Sequence, residues 1–141
     1  MYEQEWHYEL SQKSSCTLYR SFKLNLELEK YLTLPNSSDK INICKFRYRN
    51  TKIPVVILGY RNRYQPYEER MCSMCNRNEI GDEYHYILQC PTFQSHRRKL
   101  LNNYYVRNPS MNKFSQLLQS ENIKIQTKLA KLIKEIRKIF R

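Results

Sequence analysis

The sequence has no stretch of 18 apolar residues, so no transmembrane helix is expected. Acidic side chains are few, 13 against 25 Lys and Arg, and glycine falls to two residues. No repeat and no low-complexity segment interrupts the 141 residues. The opening stretch, MYEQEWHYEL, carries acidic residues and no long apolar run, so no secretory signal is expected there. Five cysteines, an odd number, then point to a reducing, intracellular compartment, nucleus or cytoplasm. What is present is enough for a modest core: 40% hydrophobic residues, 13% aromatic, with 12 tyrosines among them.

Residues 72–90, CSMCNRNEIGDEYHYILQC, organise the rest. Cys72, Cys75, His85 and Cys90 stand in a C-x2-C-x9-H-x4-C pattern. Three thiols and an imidazole suit a four-coordinate structural zinc, with one tight turn presenting the first two sulfurs. Gly81 supplies a turn, and Asp82 and Glu83 sit where a helix N-terminus favours acids. On an unbroken α-helix His85 and Cys90 would point about 140° apart. The helix is therefore expected to unwind before Cys90, in keeping with Pro91. His96 is an alternative fourth ligand. Buried thiols without metal, or disulfides, are the structural alternatives. The window is too poor in large apolar residues to fold by burial alone, which favours the metal.

The charge of +12 is uneven. Residues 1–43 sum to −1, 44–70 to +5, 71–93 to −2 and 94–141 to +10. Basic arms on both sides of the Cys/His window are the footprint of a polyanion partner, nucleic acid first among them, although a solvated basic surface has the same composition.

The expected fold is mainly α with a small zinc-stabilised irregular or β loop and C-terminal amphipathic helices. Three regions follow: a helical 1–66, a metal module 67–93 and a basic helical tail 94–141. Helices are predicted over 2–13, with Tyr2, Trp6 and Leu10 on one face, and over 39–49, capped by Ser38 or Asp39. Leu24, Leu26 and Leu28 alternate, so 19–26 reads as extended, running into a helical turn at 28–33. The run 53–58, IPVVIL, reads as a buried strand. Helices over 94–105, with Leu100, Leu101 and Tyr104 inward, and over 110–119, capped by Ser110, follow. The last, 122–141, spaces Leu129, Leu132, Ile133, Ile136 and Phe140 along one stripe. That stripe packs on its own domain or engages a protein partner. Cys16 and Cys44 are most simply core thiols.

The stretch from Cys72 to Leu101 resembles the cysteine/histidine segment at the C-terminal end of reverse transcriptases of non-LTR (LINE-type) retrotransposons. The resemblance rests on the Cys72/Cys75 pair, Asp82-Glu83-Tyr84-His85, Ile87-Leu88, Cys90-Pro91 and Arg97-Arg98. Glu29-Lys30-Tyr31-Leu32, Lys45-Phe46-Arg47-Tyr48-Arg49 and Tyr67-Glu68-Glu69-Arg70-Met71 resemble the stretches that precede that segment, so the resemblance covers roughly residues 29–101. The polymerase palm is missing, with no Tyr-x-Asp-Asp and no acidic set for two-metal chemistry. The resemblance thus implies a tail fragment without catalysis, a zinc-stabilised module gripping RNA or DNA. Arg47, Arg49, Arg61, Arg63, Arg97, Arg98 and Lys99 are the expected phosphate contacts, with Tyr64, Tyr84 or Tyr86 to stack on bases.

Overall fold

The computed structural model describes residues 2–13, 16–23 and 25–141. Leu24, and Ser14 and Ser15, lie outside the described residues. Among the described residues the fold is helical and no β-strand forms; only an isolated antiparallel bridge joins Met71 and Ile80. The helices are α1 (Tyr2–Gln12), α2 (Thr17–Phe22), α3 (Ser37–Arg47), α4 (Pro54–Ile57), α5 (Gln94–Leu100), α6 (Asn103–Val106), α7 (Met111–Gln119) and α8 (Ile123–Ile139). Short 3-10 turns occupy Lys30–Thr33, Tyr67–Glu69 and Pro91–Phe93.

Helix α8 is the spine. Its stripe of Leu129, Leu132, Ile133 and Ile136 is fully buried against α3 and α5, the 30–33 turn and the residues around His85. Each such side chain gains about 1.5–3 kcal/mol from leaving water. The expected stripe is therefore real, and it is spent inside this domain, which leaves it unavailable to a protein partner. Gln126, also buried, donates to the carbonyls of Leu117 (3.1 Å) and Ser120 (2.9 Å), tying α8 to the end of α7. One continuous core runs from Leu10 to Ile136, so the stretches 1–66, 67–93 and 94–141 share a single apolar interior.

Capping follows the side chains that reach the first free N–H groups. Ser110 Oγ accepts from Lys113 N at 3.2 Å, as its position predicts, and Asn122 opens α8 in the same way. The cap of α3 is Asn36 rather than Ser38 or Asp39. Its Oδ1 accepts from both of their backbone N–H groups, at 2.8 and 3.2 Å.

Three local expectations are corrected. The run 53–58 is buried but not a strand: Pro54–Ile57 make one helical turn, with Ile57 N donating to Ile53 O at 3.1 Å. No neighbouring strand is there to pair with, and Pro54 sets the φ of a first helical turn. β-branched composition reported burial here, not backbone state. Residues 17–22 are helical instead of extended, because Leu18, Tyr19 and Phe22 face the core; Leu28, one of the alternating leucines, is 76% exposed. The helix after Phe93 breaks where Leu101 and Asn102 turn extended. The break sends Leu101 and Tyr105 inward and leaves Tyr104 outside. Asparagine is a weak helix former, and two stand here in sequence.

Candidate metal centre

The C-x2-C turn is held by a narrow clasp around the Met71–Ile80 bridge. Cys72 N donates to Glu79 O (2.8 Å) and Gly81 N to Arg70 O (2.9 Å). At the tip Asn78 takes φ 55°, a left-handed conformation asparagine tolerates better than most residues. Inside the turn Met74 N points at Cys72 Sγ, 3.3 Å away. Gly81 is required by space: a Cβ there would come within 2.9 Å of Pro54 Cγ and of the Tyr86 hydroxyl. Asp82 then caps the second ligand segment, its Oδ1 accepting from His85 N at 2.8 Å. The buried Glu83 forms an ion pair with Arg49, Oε1 to Nε 2.9 Å, and fastens the clasp to the segment after α3.

His85–Gln89 form a π turn, closed by Cys90 N donating to His85 O at 2.6 Å. The expected loss of α-helical winding before Cys90 takes this form: the turn widens, ends at Gln89, and Cys90 stands outside the helix with ψ 123°. An i→i+5 turn is wider than an α turn, and the extra residue returns Cys90 to the side occupied by His85. Tyr86, Ile87 and Leu88 fill the core behind it.

The result is one cluster. Cys72 Sγ, Cys75 Sγ, Cys90 Sγ and a His85 ring nitrogen all lie within 4.8 Å of one another. Cys72 Sγ and Cys90 Sγ are 3.9 Å apart, and Cys75 Sγ is 3.4 Å from His85 Nε2. Two sulfurs bound tetrahedrally at about 2.3 Å from a metal would stand about 3.8 Å apart. A disulfide needs about 2.05 Å, and all five cysteines are free thiols. The four residues can hold one metal ion. His96 is elsewhere, its Nε2 3.9 Å from Glu135, and takes no part.

Glu79 completes the donor geometry, a residue the spacing of Cys and His does not announce. Its carboxylate stands 2.9 Å from His85 Nδ1, leaving Nε2 for the metal. Carboxylate–histidine pairs of this kind orient ligand rings. Burial lowers the His85 pKa, with Glu79 and Asp82 opposing, so the ring favours the neutral form a ligand needs. Burial pushes the Cys90 thiol up to about 11. Burial acts the same way on Cys72, but the Tyr86 hydroxyl and the N–H groups of Met74 and Cys75 outweigh it and lower its pKa.

The basic residues divide into two groups. Arg61, Arg63, Arg98 and Lys99 are exposed, as is Tyr64. Arg47, Arg49 and Arg97 are built in, which corrects their assignment as phosphate contacts. Arg97 has no exposed surface: its guanidinium donates to the carbonyls of Ile87 (2.6 Å), Cys90 (2.9 Å) and Tyr86 (3.3 Å), and to Gln94 Oε1 (2.7 Å). The carbonyls of Tyr86 and Ile87 belong to the π turn, while that of Cys90 also accepts from Phe93 N at 3.3 Å. Burial lowers the Arg97 pKa to about 10, still cationic at neutral pH. The Arg47 guanidinium lies 4.6 Å from the ring centres of both Phe22 and Tyr31 and bonds the Glu29 carboxylate and the Leu118 carbonyl. Arg49 is taken up by Glu83. Tyr86 is buried and Tyr84 packs edge-on against Phe114, so of the proposed stacking tyrosines Tyr64 alone is freely exposed.

No described helix is long and apolar enough to cross a membrane. Compared with protein-family models, with curated proteins and with solved structures, the chain matches none.

Proposed function

We propose that this chain is a zinc-stapled basic module that binds nucleic acid, RNA in preference to DNA, without chemistry of its own. The observation that carries it is the convergence of three thiols and one imidazole within 4.8 Å, backed by Glu79. Zinc is the ion such a donor set favours: soft thiolates with one imidazole, tetrahedral, and four protein ligands that leave no position for substrate. The nucleic-acid reading draws on the charge of +12 and on the cations that remain at the surface, Arg61, Arg63, Arg98 and Lys99. Derivation from the tail of a LINE-type reverse transcriptase, and an intracellular place in nucleus or cytoplasm, complete the reading.

A second reading, a zinc-stapled protein-interaction module, is favoured by Leu26, Leu28, Leu32 and Ile41, apolar side chains left in solvent. The test has two arms. Elemental analysis of the purified protein is expected to give one zinc per chain, lost with EDTA together with part of the circular dichroism. RNA binding is then expected to weaken steeply with salt and to be competed by heparin. Salt-insensitive, heparin-resistant binding would hand the module to the second reading.

A further inference from the structure

An open cleft of about 930 Å³ lies between the segment after α3 and the C-terminal end of α8. Lys52, Tyr60 and Arg63 line one side, Arg137 and Phe140 the other. No Asp or Glu contributes to its lining. Among the described residues, none of these three cations has a carboxylate within ion-pair distance, whereas Lys23, Arg47, Arg49 and Lys138 all do. Arg137 is held in place by the side-chain oxygen of the buried Asn42. Thr51, 8% exposed, also lines the cleft, and its Oγ1 is buried without a hydrogen-bond partner. Tyr60 is 53% exposed and Phe140 is braced edge-on by Tyr86 at 4.9 Å.

We infer that this cleft is the seat of a single-stranded nucleic-acid segment, with phosphates against Lys52, Arg63 and Arg137 and a base on Tyr60. This rests on the nucleic-acid reading above and gives it a place. Three unneutralised cations around a concave surface attract a polyanion more strongly than the same charges spread over a convex one. An exposed aromatic ring beside such charges is the combination that binds unpaired bases without sequence preference. A duplex would present phosphates but no free base face to Tyr60.

The experiment is a fluorescence-anisotropy titration of the full chain, metal-loaded, with fluorescein-labelled oligouridylate over a range of KCl. Lys52→Gln/Arg63→Gln is compared with Lys128→Gln/Lys131→Gln, which removes the same charge from the exposed face of α8. All four residues are exposed, so folding should be untouched, as circular dichroism will verify. The cleft pair is expected to weaken binding about tenfold or more and to reduce the salt slope by about 1.4, two single-strand contacts at about 0.7 each. The α8 pair is expected to change affinity by less than about threefold and leave the slope in place, as removal of charge without a specific contact does. Tyr60→Ala is expected to cost about tenfold, recovered by Tyr60→Phe, if a base stacks there. Wild-type protein that fails to bind at low salt would remove the nucleic-acid reading itself. Binding that persists while both double variants weaken alike would overturn the cleft and keep that reading. A duplex that competes as well as the single strand, or a silent Tyr60→Ala, would overturn the single-strand assignment.

Discussion

Arg97 Nη2 sits 2.9 Å from the carbonyl oxygen of Cys90, so a ligand of the candidate metal centre is held from behind by an arginine seven residues on. The same guanidinium reaches Ile87 and Tyr86. One side chain thus satisfies the open end of the π turn, in a place no water reaches.

Arg97→Met should therefore damage the fold rather than an interface. It strands the buried carbonyls of Tyr86 and Ile87, each costing about 1–3 kcal/mol when left unmade, while that of Cys90 keeps Phe93 N. Urea unfolding of the metal-loaded protein is expected to show a loss of about 3 kcal/mol or more. Arg98→Met, at an exposed neighbouring position, should leave the midpoint where it was. Equal midpoints for the two variants would refute the structural role of Arg97.

Glu79→Ala removes the carboxylate beside His85 Nδ1 while leaving all four ligands. Loss of an outer partner of this type weakens metal binding about 10–100-fold. Competition with a chromophoric zinc chelator measures it. At equal free zinc, well above both Kd values, the variant should be less stable than the wild type by about 1.4–2.7 kcal/mol, the same 10–100-fold read as stability.

Metal binding should also appear as stability, because the unfolded chain holds no preformed site. The thermal midpoint is expected to climb with free zinc, by about 2.7 kcal/mol of stabilisation at a hundredfold excess over Kd. Cys75→Ser should flatten that dependence. A midpoint indifferent to zinc and to EDTA would return the three thiols to the status of core residues.

The stacked pair Tyr19 and Tyr48, ring centres 4.8 Å apart, sets an alkaline limit. Burial raises both phenol pKa values, with the Glu29 carboxylate adding to the effect. The folded state then holds protons that the unfolded state releases at about pH 10, the ordinary tyrosine value. Their stabilising contribution is complete below about pH 10 and is lost as pH rises toward the folded values. Unfolding monitored by circular dichroism should steepen above about pH 10, and Tyr48→Phe should lessen the slope.

The Cys/His cluster was legible because ligand spacing is a local property: Cys72 and Cys75 share one turn, and Asp82 announces the cap before His85. Helix α8 was legible because its apolar residues repeat at helical period and its cations do not interrupt them. Arg47 and Arg97 were not legible, since nothing local distinguishes a buried arginine from the exposed Arg98 beside it. Arg47 is buried by Glu29 and Leu118, far off in the chain, and Arg97 by carbonyls that the π turn just before it turns its way. Ile53–Leu58 misled for a related reason: β-branched residues mark an interior, and only the absence of a partner strand decides the backbone. Glu79 stands only six residues from His85 but belongs to no ligand pattern, and the Lys52/Arg137 cleft joins positions far apart in sequence, which no spacing rule reaches.

The π turn also sets the direction in which the chain leaves the metal centre. Removing one residue between His85 and Cys90 would leave a four-residue interval, which an ordinary α turn places on one face equally well, so ligation alone does not require the fifth. One residue of an α-helix is worth about 100° of rotation. The added residue therefore acts as an indexing step, steering Pro91–Phe93 and α5 around so that Arg97 comes back beneath the turn it left. A Gln89 deletion would keep four ligands in reach and misaim everything downstream, detaching the staple from the body it is there to fasten.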